Sequence, residues 1–140
     1  MATSKVTYLG ELRTECEHLQ SQDTFITDAP LDNQGKGEAF SPTDTVATAL
    51  ASCMFTIIGI KARDLGIEVE GAVAEVTKTM AADPRRISGI KVVISFPTSY
   101  DEKHRKILER AAETCPVLYS LHPDVDLDIS FNYKHEKSIF

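Results

Sequence analysis

The sequence Thr45-Val-Ala-Thr-Ala-Leu-Ala-Ser-Cys-Met-Phe-Thr-Ile-Ile-Gly-Ile60 carries no charge, and its residues are apolar or small on every side of the helix that it predicts. A helix that is apolar all round is buried all round, and a chain of 140 residues has little other material to cover one. Ala47 and Ala51, and likewise Ser52 and Thr56, are spaced four residues apart, which gives faces of small residues that permit close approach of a second helix. The stretch therefore predicts a buried central helix and a partner subunit.

The ends of this helix are marked by residues with strong terminal preferences. Ser41 is a capping residue, Pro42 suits the first helical position, and Asp44 places a negative charge near the positive end of the helix dipole. Gly66 is a stop signal. We therefore predict a helix from residue 42 to about residue 65.

The rest of the chain alternates apolar and polar residues in the manner of β-strands. Three strands are predicted before the central helix, within residues 6–28, two after it at residues 67–73 and 90–96, and one at residues 125–133. A second helix is predicted to open with the capping-box sequence Ser99-Tyr-Asp-Glu102. The order βββ-α-ββ-α-β, with hairpins rather than βαβ repeats, predicts an α+β fold with mainly antiparallel sheets in a single domain over residues 1–140.

The composition excludes several classes of protein. Hydrophobic residues make up 42% of the chain and charged residues 26%, as is ordinary for a soluble protein, and the net charge of −6 argues against a nucleic-acid-binding surface. The charge-free run at residues 45–60 is shorter than the about 20 residues that a bilayer requires, and the first residues lack a secretory apolar segment. Three widely spaced cysteines do not form a secreted disulfide scaffold, so we expect a cytoplasmic protein without a membrane partner.

Two of the cysteines occupy positions where a thiol is chemically useful. Cys53 lies in the apolar central helix, and Cys115 directly precedes Pro116, which makes Cys115 a candidate N-cap of a following helical turn. Unpaired N–H groups and the positive end of a helix dipole favour a thiolate at such a position. We predict that Cys53 and Cys115 form a reactive pair that meets only in the folded protein.

Such a pair supports the reduction of a peroxide. A thiolate attacks the peroxide and becomes a sulfenic acid, which condenses with a second thiol to a disulfide. The apolar residues around Cys53 suit a peroxide with a hydrocarbon tail. Free cysteines are also common as small buried hydrophobes, and on that interpretation the chain is a non-catalytic dimeric binding protein for a small hydrophobic ligand. The residues alone leave both interpretations open.

A reactive thiolate needs a nearby cation. Arg13 is our candidate, because it is expected to end a strand near the loop that leads to the Cys53 helix, and Asp44 is the candidate for holding Arg13 in place. At about 100° per residue, Asp44 and Cys53 lie on opposite sides of an ideal helix, so a regular helix allows no direct contact between them.

The third cysteine, Cys16, has no such setting. It lies between Glu15 and Glu17, and both carboxylates disfavour a thiolate. Cys16 and His18 together look like part of a zinc site, but the other cysteines lack paired ligand spacing. We therefore expect no metal and no cofactor.

Two segments resemble motifs of a known family. Ser41-Pro-Thr-Asp-Thr-Val-Ala-Thr-Ala-Leu-Ala-Ser-Cys-Met54 resembles the central-helix motif of the OsmC/Ohr family, the osmotically inducible and organic hydroperoxide resistance proteins. Glu113-Thr-Cys-Pro-Val117 and the strand that follows resemble the family's second cysteine motif, and the likeness extends over nearly the whole chain. The organic hydroperoxide branch has a glutamate directly after the proline, where this chain has Thr43, and this departure indicates a general OsmC-like member.

The resemblance implies an OsmC-like fold and an intertwined homodimer, with the Cys53 helices at its centre and two active sites at the interface. It also implies a thiol peroxidase that reduces organic hydroperoxides, with Cys53 as the peroxidatic residue and Cys115 as the resolving one. The implied partners are a hydroperoxide substrate and a dithiol or lipoylated-protein reductant.

Overall fold

The computed structural model describes residues 1–134, which fall into two units. The first unit is Met1–Val46 and the second begins at Ala47. One domain can comprise two such units, so the single domain over residues 1–140 stays a prediction.

Unit 1 is built on a three-stranded antiparallel sheet of β1 (Ser4–Gly10), β2 (Arg13–His18) and β3 (Thr24–Asp28), in that order. Glu11 and Leu12 have positive φ angles of 54° and 66° and form the two-residue turn between β1 and β2. The sequence predicted that Arg13 ends a strand. This detail was wrong, because the tight turn stops β1 at Gly10 and makes Arg13 the first residue of β2.

The long helix α1 (Pro42–Leu65) begins at the end of unit 1 and continues into unit 2. It is followed by the hairpin of β4 (Val73–Ala81) and β5 (Arg86–Phe96), then by helices α2 (Glu102–Ala112) and α3 (Pro116–Ser120), and finally by β6 (Asp126–Tyr133). Strands β4, β5 and β6 form a second sheet in that order.

The α+β fold with mainly antiparallel sheets is confirmed. Among the strand pairs of residues 1–134, β1–β2, β2–β3 and β4–β5 are antiparallel, whereas β5 and β6 are parallel. The parallel pair departs from the expected hairpins, because α2 and α3 carry the chain back along the sheet before β6 begins. A crossover of this kind is what a parallel pair requires.

The predicted ends of α1 are confirmed by its hydrogen bonds. The Asp44 N–H donates to Ser41 Oγ at 3.0 Å, and the Ser41 N–H donates to Asp44 Oδ2 at 2.9 Å, so the two residues form a reciprocal cap. At the other end, the Gly66 N–H donates to Arg63 O and the Ile67 N–H donates to Ala62 O. Gly66 has a φ of +70°, and together these bonds form the glycine-terminated C-cap that ends many helices.

One face of α1 supplies the core of unit 2. Leu50, Met54 and Ile58 are fully buried, and each contributes about 1.5–3 kcal/mol through removal of its side chain from water. They share one hydrophobic cluster with residues from β5, from α2 and from the segment after it: Ile90, Val92, Ile94, Phe96, Leu108, Ala112 and Cys115. The core therefore joins α1 to the second sheet and to the two shorter helices.

The opposite face of α1 is exposed, although it carries no charge between residues 45 and 60. Within residues 1–134, α1 is the one helix long and apolar enough to cross a membrane, by length and composition only. The expectation that the apolar run is too short applied to residues 45–60 and not to the whole 24-residue helix. Core helices of soluble proteins meet the same criterion, and the buried face of α1 lies in such a core.

The predicted strand at residues 67–73 was wrong. Ile67 and Val69 are half-buried against the core of unit 2, but they belong to an irregular connection, and β4 starts only at Val73. The helix cap at Gly66 and a turn in which the Ala72 N–H donates to Val69 O set the backbone path there. The apolar alternation arose from a loop packed against the core rather than from a strand.

The predicted start of the second helix was also displaced. The N-cap of α2 is Asp101, whose carboxylate accepts a hydrogen bond from the His104 N–H at 2.7 Å, and Ser99 lies outside the helix. Both residues are good caps, and Asp101 is the one from which a helix can run to Ala112 with Leu108 and Ala111 on its buried side.

Truncation of Ile94 tests the core of unit 2. Ile94 is fully buried, so Ile94→Ala removes buried methyl groups and leaves a cavity, which should lower the free energy of unfolding by about 2–5 kcal/mol. The exposed Thr77 on β4 is the matched control, and Thr77→Ala should change stability by no more than about 0.5 kcal/mol. Urea denaturation followed by circular dichroism measures both. Equal effects of the two substitutions would contradict the assigned core.

Candidate active site

Cys53 and Cys115 come together within unit 2. Cys53 lies on α1 directly before the buried Met54, and Cys115 follows α2 as the N-cap of α3. Cys53 is half-buried and packs against the hydrophobic cluster to which the fully buried Cys115 belongs. Both are free thiols, and their side chains interact. The structure thus brings together two cysteines that are 62 positions apart in the sequence (115 − 53).

The surroundings of Cys115 oppose its ionisation. Burial raises the pKa of the Cys115 thiol, the Leu118 N–H that donates to Cys115 Sγ at 3.4 Å lowers it, and the neighbouring Cys53 raises it further. Cys115 does cap α3, as predicted. The cap position was expected to favour a thiolate, but the backbone N–H groups of Leu118 and Val117, which lower the pKa of Cys115, do not compensate for complete removal of its thiol from water.

Arg13 forms an ion-pair cluster inside unit 1. Its Nε donates to Asp28 Oδ1 at 2.7 Å and its Nη2 donates to Asp28 Oδ2 at 2.8 Å, so the pair is bidentate. Nη2 also donates to Glu38 Oε1 at 2.9 Å. The Arg13 guanidinium holds the pKa of Asp28 below its usual range against the opposing effect of burial, and the Glu38 N–H, which donates to Asp28 Oδ2 at 3.1 Å, lowers it further.

Asp44, the other predicted member of the site, belongs to the cap of α1 through its bonds with Ser41. Asp28 and Glu38 are the carboxylates that hold Arg13. Arg13 and Asp44 lie in unit 1 and the two cysteines lie in unit 2. A role of Arg13 and Asp44 at Cys53 therefore stays a prediction.

The partners of Arg13 were missed from the sequence, although one signal pointed to Asp28. In an antiparallel pair the start of one strand faces the end of the next, and the register of β2 and β3 sets Arg13 directly opposite Asp28. No comparable signal pointed to Glu38, which lies in the irregular segment between β3 and α1.

Cys16 is separate from the cysteine pair in the chain and in its unit. It lies on β2 of unit 1, between Val6 of β1 and Phe25 of β3 in the register of the sheet. Its sulfur is 3.8 Å from Thr14 Oγ1. No group of three or more His, Cys, Asp or Glu side chains in residues 1–134 is arranged to hold a metal ion.

Comparisons with known proteins found one family and several solved structures that this chain resembles. The family model for OsmC-like proteins matches residues 35–130. A crystal structure from Psychrobacter arcticus 273-4, of a protein with a suggested role in the osmotic stress induced and detoxification response, is 60% identical, with a TM-score of 0.92 over 94% of this chain and 96% of that one. No match was found among proteins with curated functions.

Two more distant crystal structures share the fold. The organic hydroperoxide resistance protein OsmC of Legionella pneumophila is 18% identical, with a TM-score of 0.73 over 94% of this chain and 98% of that one. The organic hydroperoxide resistance protein OhrB of Bacillus subtilis is 20% identical, with a TM-score of 0.66 over 94% and 98% of the two chains. At these identities the likeness is one of fold.

The Arg13–Asp28 pair predicts a dependence of stability on pH. Because the pKa of Asp28 is lowered in the folded protein, its stabilising contribution is complete above its ordinary value of 3.8 and is lost as the pH falls below that value. Asp28→Asn should therefore be less stable than the parent at pH 6, and this difference should shrink towards pH 3. Urea denaturation at both pH values measures it, with the exposed Asp23→Asn as a control whose difference from the parent does not change. An Asp28→Asn difference that is the same at both pH values would contradict the assigned pair.

Proposed function

This chain belongs to the OsmC-like protein family, and we propose that it is a cysteine-based peroxidase that reduces organic hydroperoxides, with Cys53 as the peroxidatic residue and Cys115 as the resolving one. The observation that carries the proposal is the meeting of the two free thiols in unit 2. Two relatives of the same fold are organic hydroperoxide resistance proteins, and this supports the substrate class.

The different environments of the two cysteines support their different roles. Cys53 is half-buried and reachable from solvent, whereas Cys115 has no exposed surface and a raised pKa. A peroxide attacks the thiolate that it can reach, so the first step belongs to Cys53. Cys115 is held next to it and needs to react only with the oxidised Cys53.

The reaction balances with one external reductant. The Cys53 sulfur attacks one oxygen of the hydroperoxide, the O–O bond breaks, and the second oxygen leaves as an alcohol after it takes up a proton. The Cys115 sulfur then attacks the Cys53 sulfenic acid, an S–S bond forms, and the hydroxyl group leaves as water. A dithiol or lipoylated protein returns the disulfide to two thiols and is itself oxidised to a disulfide.

Arg13, with Asp44, remains our candidate for stabilising the Cys53 thiolate. Arg13 is permanently charged, and its guanidinium is partly exposed in unit 1. Of its two carboxylate partners, Asp28 is 1% exposed and binds through two bonds, whereas Glu38 is 64% exposed and binds through one. The Glu38 contact is the one that Arg13 releases more readily, because an exposed ion pair contributes little.

We also propose a cytoplasmic homodimer. Three free thiols suit a reducing compartment. The exposed face of α1 carries Ala49, Ser52 and Thr56, which are small and uncharged. Such a strip on a 24-residue helix suits a second copy of α1 better than water.

Thiol counting after peroxide treatment tests the reaction. One equivalent of cumene hydroperoxide should remove two thiols per chain from the parent protein and from Cys16→Ser, and peptide mapping should identify a Cys53–Cys115 disulfide. Cys53→Ser should lose at least about tenfold in its rate of peroxide reduction, because Cys115 is fully buried and Cys16 lies in unit 1 without a second thiol beside it. Cys115→Ser should react once and accumulate a sulfenic acid on Cys53.

Each alternative interpretation predicts a different result in this experiment. A disulfide that joins Cys16 to either of the other cysteines as the main product would overturn the assignment of roles. Unchanged thiols over minutes would contradict the peroxidase and favour a dimeric protein that binds a small hydrophobic ligand. Normal reactivity of Arg13→Ala would remove Arg13 from the mechanism and leave the cysteine roles as they are.

Substitution of Thr56 tests the dimer. Thr56→Lys places a charge in the uncharged strip, so it should convert a stable dimer to monomer at micromolar concentration, because an unpaired charge at a buried interface is costly. Thr56→Ser removes one methyl group but keeps a small uncharged side chain and the hydroxyl group, which donates to Ser52 O, and should remain dimeric. Multi-angle light scattering distinguishes the two states. A monomeric parent protein, or a Thr56→Lys variant as dimeric as the parent, would be incompatible with the proposed interface.

A further inference from the structure

A cavity of about 520 Å³ lies between α1 and α2 in unit 2. Its apolar wall is formed by Ile57 and Ile60 of α1 and by Ile107 and Ala111 of α2. Its volume falls within the range of cavities that hold small molecules, about 300–1,000 Å³. The cavity is therefore large enough for an alkyl chain, and its wall is apolar, as binding of such a chain requires.

Two cations complete the lining. Lys61 of α1 and Arg110 of α2 both border the cavity and are exposed. Neither side chain has a carboxylate partner within residues 1–134. By contrast, Lys106 of α2 does have a carboxylate neighbour, since its Nζ lies 3.3 Å from Glu102 Oε1. Lys61 and Arg110 thus combine an apolar wall with positive charge that the described part of the protein leaves unneutralised.

We propose that this cavity binds an alkyl carboxylate, with the chain against the three isoleucines and the carboxylate between Lys61 and Arg110. The guanidinium of an arginine matches a carboxylate with two parallel hydrogen bonds, and a lysine adds a mobile point charge. The methylene stems of both side chains extend the apolar wall towards the charged end of the ligand. A neutral lipid leaves the two cations unmatched, and a short anion leaves the apolar wall in water.

The net negative charge of the chain should restrict binding to anions that also make close contacts in the cavity. A protein with a net charge of −6 repels anions at long range, so an anion binds only where close contacts outweigh that repulsion. At physiological ionic strength the long-range repulsion is screened beyond about 8 Å, whereas contacts to Lys61 and Arg110 persist. Binding here is expected to require both the chain and the carboxylate.

This inference does not rest on the proposed peroxidase. The lining residues that carry it are distinct from the two cysteines, and binding is measured without peroxide. Failure of alkyl carboxylate binding would leave the thiol chemistry intact, and failure of the thiol chemistry would leave the binding result intact.

Isothermal titration calorimetry of the full-length reduced protein tests the site with three probes: decanoate, decanol and acetate. Decanoate should bind, and decanol and acetate should each bind at least about tenfold more weakly, because each lacks one half of the interaction. The double variant Lys61→Gln, Arg110→Gln should weaken decanoate binding about tenfold and leave decanol binding as it was. Lys103→Gln, an exposed lysine of α2 outside the cavity, is the matched control and should bind decanoate like the parent.

The results that overturn the proposal are equally specific. Absence of decanoate binding, equal binding of decanol and decanoate, or parent-like decanoate binding by the folded double variant would each do so. Circular dichroism establishes that the double variant is folded. In the parent, decanoate should also shift the backbone amide resonances of Ala111 and Thr114, and shifts confined to unit 1 would place the ligand elsewhere and overturn the site.

Discussion

The structure depends on how the apolar surface of α1 is divided. The helix has more apolar surface than one small core can cover, so Leu50, Met54 and Ile58 enter the core of unit 2 while a strip of uncharged residues stays outside. Cys53 lies at the border between the two faces, which explains why it is half-buried and why it reaches Cys115. A fully core-facing cysteine has no access to a substrate, and a fully exposed one has no contact with a thiol in the core.

The parts of the fold that were predictable from the sequence are those specified by local chemistry. The ends of α1 follow from Ser41, Asp44 and Gly66, whose bonds lie within a few residues of one another. The parallel pairing of β5 with β6 depends on how α2 and α3 pack on the sheet, and no local pattern encodes it. The segment at residues 67–73 shows the same limit, because apolar alternation indicates burial but gives no information about backbone hydrogen bonds.

In the candidate site, too, the locally encoded features were predictable and the tertiary ones were not. The pairing of Cys53 with Cys115 was predictable because each cysteine has a distinctive local setting, an apolar helix for one and a following proline for the other. The carboxylates around Arg13 were not, because Glu38 reaches Arg13 from 25 positions away through an irregular segment. The expected effect of the cap on the pKa of Cys115 was not met, for a related reason. Capping is a local property, whereas the burial that outweighs it is tertiary.

That raised pKa is compatible with a resolving role once magnitudes are compared. Each unit by which burial raises the pKa of Cys115 lowers its thiolate fraction at neutral pH about tenfold. Two reacting groups that are held side by side gain effective concentrations of about 10⁵–10⁸ M, which opposes the loss of thiolate. A protonated Cys115 also has little tendency to react with peroxide itself, since the thiolate is the nucleophile. In the proposed mechanism, burial therefore keeps Cys115 from reacting until Cys53 is oxidised, and the order of the two steps follows from solvation rather than from the intrinsic reactivity of either thiol.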